Sequence, residues 1–181
     1  MSTPVVKIMP HHTGNFYGDN KMPPCVTLGL ENLKYRPPAA FEGSRLGLLA
    51  NPASVDSQFS HALGVIQDLF PGQLAAIFSP QHGFYAEKQD NMIESDHGVE
   101  PDLNIPIYSL YSSTRVPETR MLAGIDTLVV DIQDVGTRVY TFIYTISLCM
   151  EAAAKMNKKV VVLDRPNPIG GCQVEGKVLH A

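Results

Sequence analysis

Four short apolar runs recur along this 181-residue chain, and a polar cluster follows each of them. The runs lie at residues 46–49, 74–78, 127–130 and 160–163, and the clusters at 51–54, 79–83, 131–136 and 164–168. Continuous apolar runs of this length are typical of strands buried in a parallel sheet. Because the carboxyl ends of parallel strands share one edge, we expect the four clusters to converge on one site.

The spacing of apolar residues predicts helices between these strands. Phe59, Leu63, Ile66 and Leu69 predict a helix over residues 60–70, which ends at Pro71-Gly72. A short helix is predicted over 117–122 and the longest over 138–156. The predicted buried face of the longest helix contains Val139, Phe142, Ile143, Ile146, Met150, Ala153 and Ala154. Strands are predicted over 45–50, 74–78, 106–110, 127–132 and 160–163.

The alternation of strands and helices predicts a layered α/β fold with a parallel sheet over residues 41–181. Residues 1–40 are rich in Pro and Gly and predict an N-terminal arm or loop, with a short helix near 28–35. Residues 79–104 predict an irregular polar loop. Since no helix follows the last strand, we expect a missing C-terminal part, a partner or a second copy to cover it.

Composition argues against several classes of function. The net charge of −4, without a Lys/Arg stripe, argues against nucleic-acid binding. No apolar run approaches the roughly 20 residues that span a bilayer, and the N-terminus lacks an apolar signal region, so we expect a cytoplasmic protein without membrane contact. The three cysteines are far apart, which argues against a disulfide framework, and Cys149 is predicted to be a core residue.

Common cofactor and nucleophile motifs do not occur in the sequence. There is no dinucleotide fingerprint, no P-loop, no HExxH, no His/Cys cluster with zinc spacing and no GxSxG. We therefore expect neither a cofactor nor a metal, and the first two absences argue against a nucleotide-binding α/β domain.

The polar clusters offer groups that suit a polyhydroxylated ligand such as a sugar. We expect Asp134 to cap the longest helix or to hold Arg138, and His82 to donate a hydrogen bond or transfer a proton. Arg165 can bind a carboxylate bidentately. Capping, ion pairing and a proline-stiffened turn are the structural alternatives. The candidate binding residues are Asn51, Asp134, Arg138, Tyr140, Asp164, Arg165 and Asn167.

Several of these segments, taken in order, resemble the DUF1343 family, which includes exo-β-N-acetylmuramidases. They are GLLANP at 47–52, FSPQHG at 78–83, DIQDVGTR at 131–138, YT at 140–141 and LDRPNPIGG at 163–171, within a resemblance over about 45–178. The resemblance implies a Rossmann-like, three-layer domain and a second, C-terminal domain, with the active site in the cleft between them. It also implies cofactor-free hydrolysis of terminal N-acetylmuramic acid from peptidoglycan fragments. We expect the second domain to be missing from this chain.

The resemblance also implies a catalytic Glu before the His-Gly pair, where this chain carries Gln81. Glycoside hydrolysis usually needs a carboxyl group to protonate the leaving oxygen, and losing a general acid costs about 10²–10⁴-fold in rate. Glu87, Glu94 and Asp131 are candidate substitutes, and with Gln81 and His82 they are the candidate catalytic residues. We expect a glycosidase-like domain that binds amino sugars with weak or no hydrolysis. The alternative is a non-catalytic sugar-binding or protein-interaction domain.

Overall fold

The computed structural model describes residues 5–8, 11–13, 25–85, 96–170 and 172–177. Its strands are β1 (Val5–Ile8), β2 (His11–Thr13), β3 (Cys25–Thr27), β4 (Leu46–Ala50), β5 (Leu74–Ser79), β6 (Gly98–Glu100), β7 (Ile105–Ser109), β8 (Thr127–Asp131) and β9 (Lys159–Leu163). Its helices are α1 (Gly29–Asn32), α2 (Ala62–Leu69), α3 (Thr119–Leu122) and α4 (Phe142–Lys155), with a 3₁₀ turn at Ala39–Phe41.

The main sheet has seven strands in the order β1-β9-β8-β4-β5-β7-β6. The strand pairs are parallel except for β6 and β7, so the predicted α/β fold with a mainly parallel sheet is confirmed. From β4 the chain moves outward through β5 to β7, and then returns to β8 on the other side of β4. In open α/β sheets, ligands bind where the strand order reverses, and here that point lies at the carboxyl ends of β4 and β8.

The sheet is covered on both faces, which makes three layers. Leu48 of β4 packs in the core that contains Ile66 of α2, whereas the neighbouring Leu49 packs with Leu122 of α3 and Cys149 of α4. All five residues of β4 are buried, as a central strand between two helical layers requires. Cys149 is a core residue as predicted, and burial raises the pKa of its thiol to about 12.

The N-terminal segment differs from the predicted arm or loop, because β1 extends the main sheet. It runs parallel to β9, with Val5 opposite Val160 and Ile8 opposite Leu163. The outer edge of β9, which we expected a C-terminal part or a partner to cover, therefore carries a strand of this chain. Such pairing joins distant segments, so the local Pro and Gly content does not reveal it.

The predicted helix near residues 28–35 is present but shorter, and α1 starts against the end of β9. The Gly29 N–H donates to the carbonyl oxygen of Asp164 over 2.9 Å. A Cβ atom at Gly29 would lie 2.4 Å from the Asp164 nitrogen, so only glycine allows this approach. Gly29 thus lets the helix pack against the end of β9.

The longest helix begins at Phe142, not at residue 138 as predicted. Residues before it form turns, with the Tyr140 N–H donating to the Thr137 carbonyl oxygen over 3.1 Å. Phe142 and Ala153 are buried as predicted, but Val139 is 87% exposed and Ile143 is 43% exposed. Val139 precedes the helix and therefore does not share its apolar face.

Part of the predicted irregular loop at 79–104 is regular, because β6 pairs antiparallel with β7. Residues 86–95, including the candidates Glu87 and Glu94, lie outside the described residues. In the part of the chain that the structure describes, no helix is both long and apolar enough to cross a membrane.

Candidate functional site

An ion pair between Asp131 and Arg165 lies at the carboxyl ends of β8 and β9. Arg165 Nε donates to Asp131 Oδ1 over 2.6 Å, and Nη2 donates to Oδ2 over 2.9 Å. The Asp131 side chain is fully buried and that of Arg165 is 8% exposed. Burial raises the pKa of Asp131, and the hydrogen bonds and the charge of Arg165 oppose that rise. Because both carboxylate oxygens accept from Arg165, Asp131 holds the guanidinium in place.

The loop after β4 is anchored to the end of β8 through Ser54. The buried Ser54 hydroxyl donates to the backbone carbonyl of Asp131 and accepts from the Asn51 N–H over 3.0 Å. The Asn51 side-chain oxygen accepts from the Ala53 N–H over 3.0 Å. The predicted binding residue Asn51 is therefore buried and directs its side-chain oxygen into its own loop.

His61 joins this network although no sequence motif singled it out. It is the N-cap residue of α2, where its Nδ1 accepts from the Leu63 N–H over 3.2 Å. Nε2 lies 2.9 Å from the carbonyl oxygen of Asn51. Since Nδ1 accepts, Nε2 carries the proton and donates to that carbonyl, which fixes a neutral tautomer. The sequence placed His61 inside the helix predicted over residues 60–70, so it gave no sign of the capping role.

The loop after β5 brings Gln81 to the start of α4. Thr141, the N-cap residue of α4, donates from Oγ1 to Gln81 Oε1 over 3.2 Å. The next residues, His82 and Gly83, have φ angles of 76° and 83°. Glycine adopts this left-handed conformation freely and His less readily, so the backbone bends sharply beside Gln81. Gln81 and His82 are both half-buried.

Gln133 ties the loop after β8 to the loop after β9. Its Nε2 donates to the carbonyl oxygens of Asp134 over 2.6 Å and Pro166 over 3.1 Å. Asn167 of the second loop lies over Gly136 of the first, and a Cβ atom at Gly136 would lie 2.6 Å from Asn167 Nδ2. The predicted convergence of these two clusters is therefore present.

The expected role of Asp134 is wrong, because it neither caps α4 nor holds Arg138 among the described contacts. Asp134 Oδ1 accepts from the Gly136 N–H over 3.0 Å and so stabilises the turn before the helix. Arg138 is exposed and donates from Nη2 to the carbonyl oxygen of Lys177 over 3.2 Å. Tyr140 is half-buried, and burial together with the Asp134 charge raises the pKa of its hydroxyl.

The described residues contain no group of three or more His, Cys, Asp or Glu side chains placed to hold a metal ion. An open groove of about 590 Å³ lies elsewhere, between α3 and the end of α4, where Arg120 and Lys155 line it. The polar network at the carboxyl edge is thus the candidate site. It offers hydrogen-bonding groups.

The comparison with known protein families shows to which family this chain belongs. Residues 46–181 match the family described as exo-β-N-acetylmuramidase NamZ, N-terminal. The chain belongs to this family. The strand-end clusters all fall within the residues that match the NamZ family, whereas β1, β2, β3 and α1 precede them.

Similar proteins agree with membership in the NamZ family. The chain is 38% identical over 157 residues to peptidoglycan β-N-acetylmuramidase NamZ of Bacillus subtilis, which covers 87% of this chain and 38% of that protein. It resembles a DUF1343 family protein of Bacteroides fragilis with a TM-score of 0.75 and 40% identity, over 85% of this chain and 38% of the other. A second one from that organism gives 0.62 and 30%, over 78% and 35%. The chain thus spans well under half the length of these relatives.

Proposed function

We propose that this chain is the sugar-binding N-terminal part of an exo-β-N-acetylmuramidase-like glycosidase. Its ligand would be the terminal N-acetylmuramic acid of peptidoglycan fragments. The observation that carries the proposal is the match of residues 46–181 to the NamZ N-terminal family. The relative from Bacillus subtilis, which is named a peptidoglycan β-N-acetylmuramidase, supports it.

The groups at the carboxyl edge suit a sugar, whose hydroxyls need both donors and acceptors. The half-buried side chains of Gln81, Asp134, Tyr140 and Asn167 supply amide, carboxylate and phenol groups there. The backbone beneath them is held by Ser54 and Gln133 through the contacts described above. A site whose backbone is fixed loses less conformational entropy when it binds a ligand.

Two of the candidate catalytic residues in this site are unsuited to donate a proton, so we propose that hydrolysis by this chain is weak or absent. Gln81 carries an amide, which does not donate a proton as an acid. Asp131 accepts from Arg165 through both oxygens, which leaves neither oxygen free to serve a leaving group. Losing a general acid costs about 10²–10⁴-fold in rate.

A chromogenic nitrophenyl N-acetyl-β-muramide tests the catalytic part of this proposal. We expect slow or no nitrophenol release by the unmodified chain and faster release by Gln81→Glu. Gln58→Glu is the matched control, because it makes the same change on an exposed loop. Robust turnover by the unmodified chain would contradict the proposed inactivity, whereas equal rates for the two variants would exclude a special role for position 81.

A second candidate function is a non-catalytic binding domain that contacts another protein surface. Exposed apolar side chains in the segments after β8 and β9 favour it, since Val139 and Ile169 are 87% and 65% exposed. Light scattering tests for self-association through this surface. A concentration-independent monomer would argue against a second copy as the partner.

A further inference from the structure

The Arg165 guanidinium has one edge occupied and one edge open. A guanidinium carries five N–H groups, and Asp131 takes one from Nε and one from Nη2, which together form the side edge. Within the described residues, no hydrogen bond involves Nη1, and no fully buried side-chain nitrogen or oxygen lacks a partner. Nη1 and the second N–H of Nη2 therefore have no partner among the described residues, and we call the edge that they form the open edge.

The guanidinium plane is also held firmly. Asp131 is fully buried, and its backbone carbonyl accepts from the Ser54 hydroxyl. The residue after Arg165 is fixed as well, because the Pro166 carbonyl accepts from Gln133 Nε2. The Asp131 charge offsets that of Arg165, so the open edge would select a ligand by two directed hydrogen bonds more than by net charge. Two parallel N–H groups match a planar carboxylate.

We propose that the open edge of Arg165 binds the lactyl carboxylate of N-acetylmuramic acid and selects this sugar against N-acetylglucosamine, which lacks that group. The proposal rests on the proposed function, since it assumes that the carboxyl edge binds amino sugars. Arg165 is then a specificity-determining residue, because it contacts a substituent of the sugar and takes no part in bond cleavage.

Calorimetric titration with three sugars tests this assignment on the unmodified protein. The sugars are N-acetylmuramic acid, its lactyl methyl ester and N-acetylglucosamine. We expect the ester and N-acetylglucosamine to bind about tenfold or more weakly than the free acid, since each loses a charge-assisted, bidentate contact. Because this comparison uses one protein, it does not depend on the folding of any variant.

Arg165→Lys keeps the positive charge of the side chain but removes the paired N–H groups of the guanidinium. Lysine can still pair with Asp131 but lacks a second pair of N–H groups, so we expect it to lose the preference for the free acid over its ester and over N-acetylglucosamine. Arg45→Lys is the matched control. Arg45 makes the same two-point contact with Asp126, at 3.0 and 2.8 Å, at the opposite end of the sheet. We expect this variant to keep the preference.

The outcomes distinguish the inference from the proposed function. Equal binding of the free acid and its ester, or an unchanged preference in Arg165→Lys, would overturn the assignment of Arg165 while sugar binding stands. Failure of the unmodified protein to bind any of the three sugars would contradict the proposed function, and the assignment of Arg165 with it.

Discussion

Thr141 donates a hydrogen bond to the side-chain oxygen of Gln81 over 3.2 Å, although the two residues are 60 positions apart in sequence. This contact joins the loop after β5 to the N-terminal end of α4. Backbone N–H groups at a helix N-terminus favour negative charge. A carboxylate at position 81 would therefore be stabilised by both the Thr141 hydroxyl and the helix.

We predict that Gln81→Glu supplies a general acid whose pKa is lowered by both neighbours, so that it is protonated and donates its proton only on the acidic side of the pH–rate profile. The rate of muramide hydrolysis should rise, by up to about 10²–10⁴-fold if position 81 is the missing carboxylate. Adding Thr141→Val should raise that pKa and move the alkaline limb of the pH–rate profile to higher pH, because a general acid acts in its protonated form. A limb that stays in place would show that Thr141 does not act on position 81.

Ser54 is predicted to stabilise the site backbone. Ser54→Ala removes the hydroxyl that bridges the Asn51 N–H and the Asp131 carbonyl, and leaves both buried groups without that partner. We expect a loss of about 1–3 kcal/mol in the free energy of unfolding, measured by urea denaturation. Ser60→Ala, on the exposed surface, should change it by less than about 0.5 kcal/mol. Equal losses in the free energy of unfolding for Ser54→Ala and Ser60→Ala would contradict the bridging role of Ser54.

Gly136 is predicted to be required for the contact between the two loops. Its φ angle is 69°, and a Cβ atom there would lie 2.6 Å from Asn167 Nδ2. Gly136→Ala should therefore lower the midpoint of thermal unfolding and weaken sugar binding. Gly64→Ala is the control, and we expect it to change stability in the opposite direction. A Cβ atom at Gly64, in α2, would meet no atom within 4 Å. Alanine there should stabilise the helix by about 0.4–1 kcal/mol.

The exposed Arg45–Asp126 pair is predicted to give a small, pH-dependent stabilisation. The Arg45 guanidinium holds the pKa of Asp126 well below its usual range. A carboxylate whose pKa is lowered by folding stabilises the protein above its unfolded pKa of about 4, and that stability is lost as pH falls towards the folded pKa. Asp126→Asn should thus be less stable by a constant amount from pH 7 to about 4. A difference that already shrinks between pH 7 and 5 would contradict this assignment.

Much of the fold could be predicted because its signals are local. The apolar runs that became β4, β5, β8 and β9 are continuous and end at polar clusters. Their alternation with helices fixes a parallel sheet, and a parallel sheet brings those clusters to one edge. By contrast, the pairing of β1 with β9 joins opposite ends of the chain, and local composition carries no information about it.

The pairing of charges in the site could not be predicted, because several partners are compatible with the sequence. Asp134 and Arg138 lie one helical turn apart and suggested a pair, yet the chain bends at Gly136 and α4 begins only at Phe142. Arg165 instead reaches Asp131 across neighbouring strands. His61 was missed because histidine is not among the preferred N-cap residues.

An NMR titration of the ¹⁵N-labelled protein with N-acetylmuramic acid tests most directly whether the carboxyl edge binds this sugar. We predict that the largest amide shifts fall at residues 81–83, 131–136 and 164–170. The groove between α3 and the end of α4, lined by residues such as Arg120 and Lys155, should show little change. Shifts concentrated in that groove, or none at millimolar sugar, would contradict the proposed site.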